Sequence, residues 1–416
     1  ILTEHPLEAG LPPAFDLLDE VTSRLAFDER WNELERRLLD DPALSHTLLL
    51  AADLDITPGH LRDLAEKLDE NWDLLLVTGS PPPDPVVDVG PLLAALDAIT
   101  ILGRDDLPDD DKLQTRIDAV ASLRTEIATL TDDFDLLALL QVKRGLSTVK
   151  FGSPGATAVW GDTKAEIIAA KKVAVEMWDT TIVDVSDQVL RRLLHELIVG
   201  ARTAAEERRH AGVLTFHDLL VDARNLLADP DVGPAVRAAL NERYRAILLD
   251  EFQDTDPIQL ELALMIADPV SRPGAPLDES SPAGGSIFMV GDPKQSIYRF
   301  RRADIALYLE ARRSLPATPV ALTENFRTTV EVIDWINAVF GCLIEAGDGQ
   351  PEYVPLVGRR AAASIGSSVT LLGASAHSDL RADELRSMEA ADVAAAVTTA
   401  VADGWTVEGA DGGERS

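Results

Sequence analysis

Short apolar runs that end in acidic residues are the feature that most constrains the fold of this chain. Two of them, RAILLDE (245–251) and GGSIFMVGD (284–292), are bounded by glycine or polar residues and followed by helical patterns, and TPVALTE (318–324) resembles them. Such runs are typical of buried parallel strands that alternate with helices. Ligand-binding residues in these sheets lie at the carboxyl ends of strands. The acidic residues therefore indicate a binding site at that edge.

Residues before about 210 have a different, helical pattern, with apolar residues at three-and-four spacing. The predicted elements are helices over 16–41, 58–76, near 92–102 and 111–145, a Pro/Asp-rich break over 78–91, a loop over 144–162, and one long helix over about 163–210. This pattern predicts a helical bundle with its tryptophans in the core. A further run, SSVTLLGAS (367–375), and a helix near 380–403 look like the opening of another α/β unit.

Composition narrows the function only slightly. The net charge of −33 argues against simple wrapping on nucleic acid, which normally leaves a basic footprint. A motor protein needs only a local basic and aromatic track, so the charge lowers the expectation of DNA binding without excluding it. Taken alone, the charge favours an acidic soluble protein with a protein or small-molecule partner.

Cysteine content and hydropathy favour a reducing, cytoplasmic setting. Cys342 is the single cysteine, which excludes an intramolecular disulfide and a thiolate zinc site, and a buried structural thiol is expected there. The chain has no run of about 18 apolar residues, so no membrane span is predicted. Residues 1–10 lack the pattern of a signal peptide.

The sharpest chemical signal is LLDEFQDTD (248–256). An apolar strand delivers two adjacent carboxylates, Asp250 and Glu251, to its exposed end. Phosphoryl transfer from a nucleotide needs one carboxylate to hold Mg²⁺ and one group to orient or deprotonate the attacking water. Adjacent residues of an extended strand point to opposite sides, so this pair can serve both purposes.

A second strand end, MVGDPKQSIYRFRRAD (289–304), offers groups for phosphate and for nucleic acid. Gly291 permits a tight turn, and Gln295 supplies an amide that can sense a terminal phosphate or its water. The following residues interleave aromatic and guanidinium side chains: Tyr298, Arg299, Phe300 and Arg301. Aromatic rings stack on bases of any sequence and arginines hold phosphates, so this run indicates a single-strand track.

A third segment, LTENFRTT (322–329), places Arg327 after a predicted strand and before a predicted helix over 328–345. A fixed guanidinium in that position suits the γ-phosphate of a nucleotide.

Together these segments resemble the superfamily 1 DNA helicases of the UvrD/RecB type. DEFQDT resembles the family's motif II, GDPKQSIYRFR its motif III and NFRT its motif IV. GVLTFHDLLVDARNLL (212–227) resembles the segment that leads into motif II, and residues 4–20 look like the start of the inserted helical 1B domain of RecB-like members. The likeness at the level of motifs covers about 212–345.

The resemblance implies roles for the matching residues, with ATP and Mg²⁺ as cofactors. Asp250 would hold Mg²⁺ and Glu251 would activate water. Gln295 would couple the γ-phosphate to the DNA site, and Arg327 would stabilise charge on the transferring phosphoryl group. Gln253 and Asp254 would link the nucleotide site to motif III, while Tyr298 and Phe300, flanked by Arg299 and Arg301, would contact single-stranded DNA. Arg302 stands where many relatives have glycine.

The resemblance also implies the fold, an incomplete α/β parallel sheet of the P-loop NTPase (RecA-like) type with a large, mainly helical inserted domain. The expected domains are a 1B-like helical domain over 1–210, the C-terminal part of ATPase domain 1A over 211–346, and the start of a second RecA-like domain, 2A, over 347–416. No G-x-x-x-x-G-K-[ST] phosphate loop occurs in the chain, and the arginine-bearing motif VI is missing. An internal fragment, inactive as an ATPase by itself, is therefore expected.

The leading hypothesis is part of an ATP-dependent 3′–5′ DNA helicase or translocase of repair and recombination. Its expected partners are single-stranded and duplex DNA and other subunits of a helicase–nuclease complex, with no membrane. Two alternatives stay open. One is a catalytically dead, DNA-binding scaffold that has lost the phosphate loop. The other is a non-helicase nucleotide-binding protein, which predicts no affinity for single-stranded DNA.

Overall fold

The computed structural model describes residues 1–76, 79–108, 110–142, 154–297, 302, 304–347, 350–362, 364–373, 380–408 and 414–415. Within it the chain divides into two compact units, residues 1–223 and 224–416. The described part is mostly helical and contains small two-stranded sheets. Among the described residues no helix is both long and apolar enough to cross a membrane.

The first unit is a helical bundle. Its elements are β1 (Asp16–Leu17), α1 (Glu20–Asp40), α2 (Ser45–Asp53), α3 (Pro58–Glu70), α4 (Gly90–Thr100), α5 (Lys112–Thr129), α6 (Asp133–Val142), α7 (Thr157–Trp160), α8 (Thr163–Ala211), β2 (Val213–Leu214) and the start of α9 (Phe216–Ala228). The helices predicted from apolar spacing are confirmed, with the pattern over 111–145 divided between α5 and α6. Part of the predicted loop over 144–162 lies outside the described residues.

Helix α8, with 49 residues, is the central element of this bundle. It contributes Trp178 and Leu193 to a core that also buries Trp31 and Trp160, so these three tryptophans are core residues, as predicted. The helix ends at Gly212, whose φ of 66° is the left-handed conformation that glycine adopts without a steric penalty. Asp111 begins α5 by accepting hydrogen bonds from the first turn of that helix.

A buried ionic cluster joins the end of α8 to α3 and α9. Arg208, of which 4% is exposed, donates to Asp218 over 2.8 and 3.0 Å and to Asp69 over 2.8 Å. The indole of Trp72 also donates to Asp218. Burial alone lowers the pKa of Arg208, but the hydrogen bonds and charges of Asp218 and Asp69 raise it above its ordinary value. The guanidinium is therefore held charged in the interior.

The second unit contains short parallel strands between helices. Its elements after α9 are α10 (Gly233–Arg243), β3 (Ile247–Leu249), α11 (Pro257–Ala267), β4 (Ile287–Met289), α12 (Ile305–Ser314), β5 (Glu324–Thr329), α13 (Val330–Leu343), β6 (Val357–Arg360), α14 (Ala382–Ala402), β7 (Val407–Glu408) and β8 (Glu414–Arg415). Strand β3 pairs with β4 and β5 with β6, both in parallel. The alternation of parallel strands and helices follows the sequence pattern.

Two predicted strands are wrong in position. Residues 318–323 form no strand, and the parallel ladder begins at Glu324, which pairs with Val357. Val320 and Leu322 are apolar but 80% and 83% exposed, so apolar content there does not coincide with hydrogen-bonded pairing. Residues 367–373 also form no strand, and 374–375 lie outside the described residues.

Cys342 was expected to be a buried structural thiol, and that prediction is wrong. The residue is exposed near the end of α13. The sequence around Cys342 does not show which face of α13 is packed. The packed face depends on which elements the helix contacts, and those are distant in the sequence.

One face of the β3–β4 pair is apolar and exposed. Leu248 and Phe288 are register partners and are 72% and 62% exposed. The alternate residues Leu249, Ile287 and Met289 pack instead on the core of this unit. An apolar sheet face of this kind is normally covered by another layer of structure.

Candidate active site

The carboxyl ends of β3 and β4 bring two polar segments together. Beyond the ladder, Val290 N donates to Leu249 O and Phe252 N donates to Val290 O, both over 2.8 Å. Consequently DEFQD (250–254) and GDPKQ (291–295) leave the same edge of the sheet side by side. Parallel pairing makes this meeting possible, because both strands end on the same side.

Asp250 and Glu251 are exposed at this edge. Asp250 Oδ1 accepts a hydrogen bond from Glu251 N over 3.0 Å. Glu251 has φ of 49° and ψ of 45°, the left-handed conformation, and opens the 3₁₀ turn Phe252–Asp254. A non-glycine residue in that conformation costs about 1–3 kcal/mol, and such residues cluster at functional sites. The extended strand conformation thus ends at Glu251, so the strict alternation expected of an ideal strand does not apply to this pair.

Gln253 connects the two segments of the site and is only 2% exposed. Its Nε2 donates to Glu251 Oε2 over 2.8 Å and to Asp254 Oδ2 over 3.3 Å. Its Oε1 accepts from Asp292 N over 2.9 Å, and its backbone carbonyl accepts from Ser296 Oγ over 3.1 Å. One buried amide therefore connects Glu251 and Asp254 of the first segment to the backbone of the second.

Gly291 makes this contact possible by close approach. A Cβ at this position would lie 2.6 Å from Gln253 Oε1 and 3.0 Å from Phe252 N. Gly291 does not have a positive φ, so the expectation that it permits a tight turn is replaced by a different physical reason. The two strand ends pass too close for any side chain.

Gln295 lies in the 3₁₀ turn Pro293–Gln295 and is exposed. Its Nε2 donates to Asp292 Oδ2 over 3.1 Å, while Asp292 Oδ1 accepts from Lys294 N over 3.1 Å. Below the turn, Tyr308 donates its hydroxyl to Gly291 O over 3.3 Å. Burial raises the pKa of Tyr308, which keeps this donor protonated.

Arg327 is not joined to the network of hydrogen bonds around Gln253 in the described residues. It lies within β5 rather than after a strand, and its side chain is exposed. Its backbone N–H donates to Asn325 Oδ1 over 3.0 Å, and its carbonyl accepts from Arg360 of β6. The strand is therefore held firmly while the guanidinium stays at the surface.

The predicted DNA-contacting residues Tyr298, Arg299, Phe300 and Arg301 lie outside the described residues. Their neighbour Arg302 has φ of 67° and its Nε lies 3.4 Å from Asp256 Oδ2. Glycine adopts that conformation without the steric penalty that a side chain such as arginine meets.

Sequence reasoning missed Asp292 and Ser296, which hold the second segment to Gln253. Both stand inside the GDPKQS stretch. Asp292 is one residue after a glycine that a buried strand delivers, which is the same signal that singled out Asp250. An acidic residue before proline is also common in ordinary turns, so this signal alone does not assign a role to Asp292.

The exposed carboxylates suit a hard cation shared with a phosphate. Mg²⁺ is usually bound by one or two carboxylates, substrate phosphates and water, without a full protein cage. In keeping with that, no cluster of three or more His, Cys, Asp or Glu side chains with metal-binding geometry occurs among the described residues. Asp250 fits as a single ligand, and Asp254 Oδ1 is a buried oxygen that accepts no hydrogen bond in the part of the chain that is described.

Comparisons with known proteins agree with these motifs. Residues 110–316 match the family model of the UvrD/REP helicase N-terminal domain. The chain is 33% identical over 152 residues to the A subunit of an ATP-dependent helicase/nuclease of Exiguobacterium sibiricum, a match that covers 36% of this chain and 12% of that protein. It is 34% identical over 167 residues to the corresponding protein of Levilactobacillus brevis, covering 38% and 12%.

A longer match, 27% identical over 269 residues, is to the A subunit of the ATP-dependent helicase/nuclease of Lactiplantibacillus plantarum and covers 59% of this chain and 20% of that protein. The chain thus spans between 12% and 20% of the length of these relatives. The family match covers both segments of the site described above, DEFQD and GDPKQ. Residues 110–316 of this chain therefore belong to the UvrD/REP helicase N-terminal domain family, and the chain is similar to the A subunits of ATP-dependent helicase/nucleases.

Proposed function

We propose that this chain is part of the motor of an ATP-dependent DNA helicase or translocase that acts in repair and recombination. The observation that carries the proposal is the bridge made by Gln253, which joins Glu251 to the backbone of the turn that holds Gln295. A motor of this kind needs its hydrolytic carboxylate and its phosphate sensor to be mechanically connected, and this buried amide connects them.

The roles of the individual residues follow from their positions. Asp250 would hold Mg²⁺, which would supply positive charge against the nucleotide phosphates. Glu251 takes the proton of the attacking water, with its Oε2 positioned by the amide of Gln253. Gln295 contacts the γ-phosphate or its water. Arg327, exposed on β5, supplies positive charge to the transferring phosphoryl group.

Coupling to DNA runs through the residues that follow Gln295. Tyr298 and Phe300 stack on bases, and Arg299 and Arg301 hold phosphates. A change at the γ-phosphate moves Gln295, and the chain carries that movement only a few residues to this track. Translocation in the 3′–5′ direction and assembly with a second subunit in the cytoplasm, as a helicase–nuclease, complete the proposal.

The exposed apolar face of β3–β4 supports an ATPase sheet that a further layer of the full-length protein covers. Leu248 and Phe288 would be covered by the layer that carries the phosphate loop. Since no G-x-x-x-x-G-K-[ST] motif occurs in these 416 residues, the chain by itself is proposed to be inactive as an ATPase.

The test is ATP hydrolysis by the full-length protein with and without single-stranded DNA. Glu251→Gln is expected to lower the DNA-stimulated kcat by about 10²–10⁴-fold, the range for loss of a general base, with nucleotide binding unchanged. Glu310→Gln makes the same change at an exposed position of α12 and should leave kcat unaltered. Binding of DNA without any hydrolysis by the wild-type protein would favour the scaffold instead.

A further inference from the structure

Lys294 makes a contact that the proposed chemistry does not use. It lies between Pro293 and Gln295 in the turn that holds the proposed phosphate sensor. Its ammonium nitrogen lies 5.4 Å from the centre of the Tyr353 ring, within the range of a cation–π interaction. The side chain of Lys294 is 22% exposed, and its ammonium nitrogen lies 3.8 Å from Asp292 Oδ1. The contact reaches from motif III to the segment between α13 and β6.

Tyr353 is fixed to that segment by its hydroxyl group and by its ring. The hydroxyl donates to Asn337 Oδ1 over 2.7 Å. Asn337, on α13, also accepts from Leu356 N over 3.0 Å and donates to Leu356 O over 2.8 Å. A Cβ on Gly341 would lie 3.8 Å from the ring, so the ring lies directly against the helix. Tyr353 therefore moves together with α13 and with the start of β6.

The same group of elements carries Arg327. Strand β5 ends at Thr329, and α13 begins at the next residue. Strand β6 pairs with β5 and passes so close that a Cβ on Gly358 would lie 2.8 Å from Val330 Cα. Through these contacts, the position of the Tyr353 ring is tied to the strand that presents the proposed γ-phosphate arginine.

We propose that Lys294 and Tyr353 are positioning residues that keep the Gln295 turn and the Arg327 strand aligned when bound DNA stimulates ATP hydrolysis. The inference rests on the proposed function of this site. Neither residue touches the nucleotide in this account, so each acts through its neighbour. The ammonium–ring contact tolerates small sliding movements, because the attraction falls gradually with distance and has no strict angle, unlike a bidentate salt bridge.

Kinetics of the full-length protein test this role. Lys294→Met and Tyr353→Leu are each expected to lower the DNA-stimulated kcat by about three- to tenfold, the equivalent of one partly exposed cation–π contact. Basal ATP hydrolysis and the KM for ATP should change less than about twofold, since neither nucleotide binding nor turnover without DNA depends on this alignment. The double variant should be no worse than the more impaired single variant.

Conservative variants separate alignment from simple stability. Lys294→Arg keeps a cation over the ring and should retain DNA stimulation. Tyr353→Phe keeps the ring but removes the hydrogen bond to Asn337, so it should fall between wild type and Tyr353→Leu. The split between basal and DNA-stimulated kcat is the readout that a merely structural role would not move, and thermal unfolding of each variant reports any loss of structure.

Each possible outcome supports or contradicts the proposal. Multiplying effects in the double variant, or equal losses of basal and DNA-stimulated turnover with a lowered Tm, would overturn the positioning role while leaving the proposed function in place. A wild-type protein without DNA-stimulated hydrolysis would remove the proposed function and this role together. Loss confined to DNA stimulation, non-additive and rescued by Lys294→Arg, is the result expected.

Discussion

Gly291 lies where the ends of β3 and β4 approach each other closely. Any side chain there would meet the amide oxygen of Gln253 at 2.6 Å, a distance that real contacts do not allow. The sequence singled out Gly291 but assigned it to a turn, because a single sequence does not distinguish a glycine kept for its φ from one kept for close approach.

Gly291→Ala should therefore separate the segment of Glu251 from that of Gln295. We expect it to lower the free energy of unfolding by about 1–3 kcal/mol through overpacking and to abolish DNA stimulation of ATP hydrolysis in the full-length protein. Gly284→Ala is the matched control, since nothing lies within 4 Å of its Cβ and its φ is not positive. Equal behaviour of the two variants would contradict the account of Gly291.

Asp222 is a buried carboxyl group with an incomplete partner. It is 2% exposed, and Arg209 Nε lies 3.2 Å from its Oδ1 without forming a hydrogen bond. Burial raises the pKa of Asp222 to about 6, with Arg209 opposing the rise and Asp218 adding to it. Because the folded-state pKa lies above the ordinary value of 3.8, the group stabilises folding most below about pH 4, and this contribution is lost as the pH rises through 6.

Asp222→Asn should raise the free energy of unfolding of the helical unit at pH 7 by up to about 3 kcal/mol, the equivalent of two pKa units. At pH 4 the gain should be much smaller. Urea unfolding followed by fluorescence of the buried tryptophans measures it. Asp187→Asn, in an exposed pair with Arg191, should show no such dependence, and a pH-independent gain in Asp222→Asn would refute the assignment.

Residues at strand ends were predictable, and their conformations were not. Asp250 and Glu251 follow an apolar run, and that pattern alone predicts their place at the edge of a sheet. The left-handed backbone of Glu251 depends on the hydrogen bond from Phe252 N to Val290 O. That bond belongs to a neighbouring strand 38 positions away in the chain, so local sequence does not specify it.

At the scale of elements, helices were predicted better than strands. The spacing of apolar residues and the caps at Asp19, Thr57 and Asp111 act within a few positions, so a local pattern suffices. Strand β5 begins at Glu324, after the apolar stretch that predicted it, because its position is decided by pairing with β6. Pairing partners are distant in sequence, and short strands carry little periodic signal.

The ionic cluster around Arg208 joins α3, α8 and α9. Its burial determines how much it contributes to the free energy of unfolding. Arg208→Met leaves Asp218 and Asp69 without their cation and is expected to lower the free energy of unfolding by about 3–5 kcal/mol. Arg124 makes a similar two-bond pair with Asp97, but the side chains are 37% and 51% exposed. Arg124→Met should cost at most about 1 kcal/mol.

Urea unfolding with tryptophan fluorescence gives both values, since Trp31, Trp160 and Trp178 are buried in the same unit. Similar losses in the two variants would mean that the buried cluster contributes no more than a surface pair.

At the scale of the whole molecule, the two segments at the ends of β3 and β4 carry the hydrolytic and sensing groups of the proposed motor. The net charge of −33 pointed away from nucleic acid, and the order of the motifs pointed towards it. These observations are compatible because translocation requires a local track, whereas net charge describes the entire surface.

Strand separation by the full-length protein tests the central claim most directly. A duplex with a single-stranded tail is incubated with ATP and Mg²⁺, and release of the labelled strand is followed for the wild type and Glu251→Gln, with binding of ATP and of DNA measured for both. Unwinding by the wild type and its loss in Glu251→Gln, with both bindings retained, is the predicted result. Continued unwinding by Glu251→Gln would contradict it.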